Sequence, residues 1–109
     1  LILFNKGKQL RNQVYIDDVI SSIKLSLKSD LNDNYNVFNI AGEKPISNKN
    51  LSYKLKQLLK SKSKIILSEK GNPLRSYDIY MNISKSKKYL KYNPRPIVIS
   101  LKQMIKDFN

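Results

Sequence analysis

The stretch Phe4-Asn5-Lys6-Gly7-Lys8-Gln9-Leu10-Arg11-Asn12-Gln13-Val14-Tyr15-Ile16-Asp17-Asp18-Val19 passes from extended chain to helix. Residues 13–16 read as a short strand. Asp17-Asp18 then precede an apolar stripe of Val19, Ile20, Ile23 and Leu27 at helical spacing, so a first helix is expected over about 19–29. Paired carboxylates at that position suit a helix cap with a favourable dipole contact better than acid–base or metal chemistry.

Working outward, residues 31–34 are rich in Asn and Asp and read as a loop, and residues 35–40 alternate towards a strand that ends at Ala41-Gly42. Ser47 is placed to cap a second helix whose face is Leu51, Leu55, Leu58 and Leu59, ending near residues 60–63. Residues 64–67 form a compact apolar run of strand length, and Gly71-Asn72-Pro73 breaks the chain. A short extended piece around 80–83 leads to a helix over 84–90, then to the rigid turn at 92–96. Ser100 is expected to cap a last helix with Leu101, Met104, Ile105 and Phe108 facing inward. This order of elements predicts a small α/β fold with short strands and about four helices, residues 1–109 forming a single domain. The apolar opening Leu1-Ile2-Leu3-Phe4 looks like the middle of something longer, so the chain is expected to be a fragment.

Composition removes several chemistries. Neither Cys nor His is present, which excludes disulfides, thiolate nucleophiles, the usual zinc sites and imidazole catalysis. No apolar run approaches the roughly 18 residues a bilayer span needs, and no signal-peptide pattern opens the chain, so a soluble, cytoplasmic protein with no membrane partner is expected. The formal charge of +13 suggests nucleic acid, but it rests on 18 Lys against only Arg11, Arg75 and Arg95. The lysines scatter over outward helical faces, with one tight cluster at residues 85–88. No specific nucleic-acid partner is expected from such a surface, and a basic nucleic-acid-binding module is the rival reading. The three glycines cannot build a glycine-rich phosphate loop after any strand. No catalytic or metal-binding residue is expected in the chain.

Four collinear blocks resemble the C-terminal third of the extended short-chain dehydrogenases, the family of NAD-dependent nucleotide-sugar epimerases and dehydratases. The opening stretch is similar to that family's aromatic-Gly-x-Gly-x-Gln-x-Arg-Asp-aromatic-x-x-Val-x-Asp-Val, with Asn5, Asn12 and Gln13 replacing a Gly, an Asp and an aromatic. Residues 37–47 resemble its Tyr-Asn-Ile-Gly-x-Gly-x-x-x-Ser. Arg75-Ser76-Tyr77-Asp78 resembles Arg-Pro-Gly-Asp without the Pro-Gly pair. Residues 82–94 resemble Asp-x-Ser-Lys-Ala-x-x-x-Leu-Gly-aromatic-x-Pro, with Asn82 and Lys91 replacing Asp and Gly.

The resemblance implies a substrate-binding C-terminal domain that holds a nucleoside-diphosphate sugar. Arg11 and Arg75 would grip the diphosphate, Phe4 would lie against the base, and Asp78 would accept ribose hydroxyls. Guanidinium suits the diphosphate because its planar fork makes bidentate, charge-assisted hydrogen bonds that lysine cannot copy. It also implies an N-terminal Rossmann domain in the same polypeptide, which would carry NAD or NADP and the Tyr-x-x-x-Lys dyad, in a parent enzyme that is a homodimer. None of Tyr15, Tyr53, Tyr77 and Tyr80 is followed by Lys four residues on. The chain alone is therefore expected to bind no cofactor and to be inactive. Arg95, between two prolines, matches no binding position; it is expected to be structural or merely exposed, and its replacement by Ala near neutral. A degenerate, non-catalytic remnant of such an enzyme is the third reading.

Overall fold

Tyr15 is extended, with ψ of 147°, and the chain turns helical at the next residue. In the computed structural model, which describes residues 1–31, 35–71 and 77–108, helix α1 spans Ile16–Lys28. The strand expected over 13–16 is absent; the extended pairing lies upstream, in β2 (Leu10–Arg11). Asp17 and Asp18 do not cap α1 but sit inside its first turn, where the helix dipole favours them.

Three further helices follow the expected order. Helix α2 (Asn48–Leu58) is capped by Ser47, whose hydroxyl accepts from the Asn50 N–H at 3.1 Å. Helix α3 is Ser84–Leu90 and α4 is Ile97–Asp107. Ser100 is not the cap of α4: the helix starts one turn earlier, after Pro96, and Ser100 is buried within it. Phe108 points outward, 86% exposed, because it falls one residue beyond the helix that would have aimed it inward.

The strands are two residues long and pair in two small sheets. β1 (Ile2–Leu3) runs parallel to β4 (Ile66–Leu67), and β2 runs antiparallel to β3 (Ile46–Ser47) with Arg11 opposite Ile46. Between β1 and β2, Asn5, Lys6 and Gly7 take left-handed φ of 49°, 53° and 64°. Gly enters this region freely and Asn more readily than Lys; at Lys6 the N–H donates to the Ser68 carbonyl at 2.8 Å. Lys91 is also left-handed, φ 58°, at the C-terminus of α3. That is the position where the resembling pattern has Gly, and the turn forms regardless.

Residues 35–40 are not a paired strand. Among the described residues no backbone hydrogen bond joins residues 37–40 to another segment; side chains anchor them instead, the Ser86 hydroxyl donating to the Asn39 carbonyl at 2.5 Å and the Asn39 amide to the Asn82 carbonyl at 3.0 Å. The core is correspondingly small: Ala41, Ile83, Leu90 and Tyr92, flanked by Leu25, Phe38 and Ile40. No described helix is long and apolar enough to cross a membrane.

Candidate functional site

Arg11 stands at the middle of three extended segments. β3 lies on one side, and on the other a parallel bridge joins Arg11 to Ile79. The Ile79 N–H donates to the Leu10 carbonyl at 3.1 Å, which brings the neighbouring Asp78 carboxylate to the Leu10 N–H at 2.8 Å. Arg11 and Asp78, 67 positions apart in the chain, are thereby held at one edge.

The Arg11 guanidinium is fixed at one corner. Nη1 donates to the carbonyls of Leu10 and Tyr77 at 2.7 and 2.8 Å. Nε and Nη2 make no hydrogen bond to any described residue. One Asp78 oxygen accepts from Leu10, which leaves the second available for a hydroxyl donor. Phe4 is 59% exposed, so it is not a core phenylalanine; it borders a small cavity with Gly7, Gln9 and Asn48 and shares no hydrogen bond or ring contact with Arg11 or Asp78. Arg75 lies outside the described residues.

Sequence reasoning missed Asn12. Its amide donates to the Gly42 carbonyl and its oxygen accepts from the Met81 N–H, at 2.8 and 3.1 Å. An aspartate could only accept, so asparagine at this position does two jobs that fasten β2 to both neighbouring segments. Asn82 likewise keeps a function: its oxygen accepts from the Ser84 N–H at 2.8 Å, at the start of α3.

Arg95 is structural rather than merely exposed, which overturns the expectation of a near-neutral replacement. Its Nε and backbone N–H donate to Asp18 at 2.8 and 3.1 Å, Nη1 reaches Asp17 at 3.4 Å, and the guanidinium lies 5.2 Å over the Tyr15 ring. Asp18 is 6% exposed, so these bonds compensate a desolvated carboxylate. Beside them is an open cavity lined by Gln13, Gly42, Glu43, Lys87 and Arg95. It is larger than the cavity at Phe4, yet two of the three cations that line it, Arg95 and Lys87, already have carboxylate partners, Lys87 meeting Glu43 at 2.8 Å. The chemistry therefore favours the Arg11 edge.

Two tyrosine hydroxyls are held above their ordinary titration range. Burial and the negative Asp18 push Tyr92 from 10.0 up to about 12, while a hydrogen bond to Asp107, with smaller contributions, pushes Tyr15 to about 12. Below pH 10 both hydroxyls are protonated in the folded and the unfolded chain. From about 10 to 12 the unfolded chain releases these protons first, so stability falls as pH rises through that window. The thermal midpoint is expected to drop across it, and less steeply in Tyr92→Phe; equal slopes in the two proteins contradict the assignment to Tyr92.

Gly7 and Gly42 are both required by close packing. A Cβ at Gly7 would meet the Lys49 nitrogen at 2.9 Å and one at Gly42 the Gln13 carbonyl oxygen at 2.1 Å. These glycines permit close chain–chain approach. The described residues also contain no cluster of acidic side chains able to hold a metal ion.

No family model matches the chain. Over 108 residues it is 30% identical to an uncharacterized protein of Methanocaldococcus jannaschii, the match covering 97% of this chain and 31% of that protein. Its structure is similar to UDP-glucuronic acid 4-epimerase from Bacillus cereus in complex with UDP-glucuronic acid and NAD, with a TM-score of 0.76, 26% identity, and 100% of this chain against 36% of that one. UDP-glucose 4-epimerase of Thermotoga maritima, solved with UDP-glucose, gives a TM-score of 0.84 at 22% identity, covering 99% and 34%. UDP-N-acetylglucosamine 4-epimerase of Methanobrevibacter ruminantium gives 0.79 at 21%, covering 98% and 34%. The chain is thus a small α/β structure similar, over its whole length, to about a third of the UDP-sugar 4-epimerases it matches.

Proposed function

We propose that the chain is the substrate-holding C-terminal part of an NAD(P)-dependent nucleotide-sugar epimerase or dehydratase, and that it grips the nucleoside diphosphate of the substrate. The observation that carries this reading is the meeting of Arg11 and Asp78 at one bridged edge, with two guanidinium nitrogens and one carboxylate oxygen making no hydrogen bond to any described residue. Arg11 and Arg75 bind the diphosphate, Asp78 the ribose and Phe4 the base. Whole-length likeness to enzymes solved with UDP-sugars and NAD supports the substrate class and the cofactor of the parent. A diphosphate held away from the reacting sugar contributes binding energy that positions the sugar without taking part in its chemistry. The catalytic dyad and the cofactor belong to an N-terminal Rossmann domain of a cytoplasmic, homodimeric parent.

The departures from the resembling pattern favour this over a degenerate remnant, because Asn5, Asn12, Asn82 and Lys91 all keep ordered local geometry. Calorimetry with UDP on the complete polypeptide tests it. Saturable UDP binding that a random oligonucleotide does not displace is the expected result. An oligonucleotide bound with unchanged affinity as salt rises, and no UDP binding, establishes the nucleic-acid module instead, because counterion-release binding by scattered lysines weakens steeply with salt.

A further inference from the structure

The segment from residue 44 to residue 68 carries seven of the 18 lysines and not one carboxylate. Local structure explains only part of that charge. The helix dipole favours Lys56 in the last turn of α2 but disfavours Lys49 in the first, where no acidic residue offsets it. Lys56 and Lys60 line the same cavity, and like charges held that close repel. Lys44, Lys54, Lys56 and Lys60 have no carboxylate partner among the described residues.

These four side chains border one groove. The open cavity beside Arg95 runs into a second along α2, with Lys44 and Ile97 in the walls of both. The second runs into a third, with Tyr53 and Gln57 in the walls of both. Asn50, Tyr53 and Gln57 recur at three- and four-residue spacing, so amide, ring and amide follow one another on one helical face. Lys60 comes next, just past the helix, its N–H on the Gln57 carbonyl at 3.2 Å. Tyr53 is 46% exposed and shares no ring contact with a described residue. Among the described residues the one carboxylate in the walls is Glu43, and Lys87 holds both its oxygens at 2.8 Å.

We propose that this groove binds single-stranded nucleic acid, its lysines meeting phosphates and the Tyr53 ring stacking on an unpaired base, with no reading of sequence. Ring and amides select this occupant over an acidic peptide. A chain of carboxylates would use the lysines alone, whereas a base offers a flat face to Tyr53 and polar edges to Asn50 and Gln57. A duplex keeps its bases stacked and hides those faces. The groove is a second property of the polypeptide, separate from the diphosphate edge, because Phe4, Arg11 and Asp78 do not line it. Strand and UDP are therefore bound together.

Fluorescence anisotropy of labelled oligo(dT) and oligo(U) with the complete polypeptide tests this. Both are expected to bind, and to weaken about fiftyfold between roughly 50 and 200 mM salt, the slope that four neutralised phosphates give. Tyr53→Ala is expected to weaken binding roughly tenfold and Tyr53→Phe less than about twofold, since the ring alone is needed. Replacing Lys54, Lys56 and Lys60 together by Gln should lower the salt slope by about 2. The same change at Lys28, Lys102 and Lys106, exposed lysines outside the groove, should move it by less than about 0.5. Circular dichroism checks that each variant is folded, and the lysine comparison decides alone if Tyr53→Ala is not. Equal slopes for the two lysine sets overturn the proposal, as does a folded Tyr53→Ala that binds like the parent. Tighter binding of poly-glutamate overturns it in favour of an acidic partner, of phosphatidylserine vesicles in favour of a membrane, and of duplex DNA in favour of backbone charge alone. UDP calorimetry bears only on the diphosphate edge, so its failure leaves the groove standing.

Discussion

Leu90→Ala is expected to abolish cooperative unfolding of the 109-residue chain. Leu90 is 2% exposed and packs with Ala41, Ile83 and Tyr92, and only Leu101 joins them as a buried hydrophobic residue among the described positions. A buried Leu→Ala replacement removes about 2–5 kcal/mol through lost transfer energy and the cavity left behind. Ordinary domains hold about 0.05–0.15 kcal/mol per residue, and a chain with so small a core lies at the low end of that range. The substitution therefore takes most of what there is. Circular dichroism should show a sloping, non-cooperative melt, while Leu27→Ala, at an 83% exposed position, stays within about 0.5 kcal/mol of the parent. A cooperative Leu90→Ala melt within a few degrees of the parent shows that the core lies elsewhere.

The same contrast shows what the sequence made legible. Helical spacing found α3 at its observed bounds and Ser47 as the cap of α2, because both depend on residues within one turn of each other. It found which residues of α1 share a face, but periodicity carries no information on whether that face meets this chain or another body, and of the expected stripe Val19 is half-buried while Ile20, Ile23 and Leu27 are exposed. Alternation at residues 35–40 identified an extended segment; a ladder also needs a partner strand. The parallel pairing of β1 with β4 joins residues 64 positions apart and leaves no local trace. At the site, the resemblance supplied Phe4, Arg11 and Asp78 as candidates. It could not supply the carbonyls of Leu10 and Tyr77 that hold Arg11, or the Leu10 N–H that holds Asp78, since those are backbone groups with no residue identity. Arg95 was misjudged for a related reason: its partner Asp18 is 77 positions away, and a carboxylate at a helix start looked sufficiently explained by the dipole.

In the complete polypeptide, Arg11→Ala is expected to weaken UDP binding by about 1.5–3 kcal/mol, the value of one or two charge-assisted hydrogen bonds to phosphate, or roughly ten- to a hundredfold in affinity. Anchoring of Nη1 by the Leu10 and Tyr77 carbonyls presents Nε and Nη2 in one orientation, so little side-chain freedom is lost when the anion arrives. Arg11→Lys restores the charge but neither the anchoring nor the fork, and only part of the affinity should return. The loss should be the same for UDP as for a UDP-sugar, because the contact is to the unreacting diphosphate, and NAD affinity should not change. Arg75→Ala should behave alike. Lys102→Ala, an exposed cation on α4, is the control in place of Arg95, whose replacement would strip the buried Asp18 of its guanidinium partner and disturb the fold. If Arg11→Ala binds UDP as tightly as Lys102→Ala does, with both proteins folded by circular dichroism, Arg11 is a strap between β2 and the Tyr77 carbonyl and the diphosphate assignment falls.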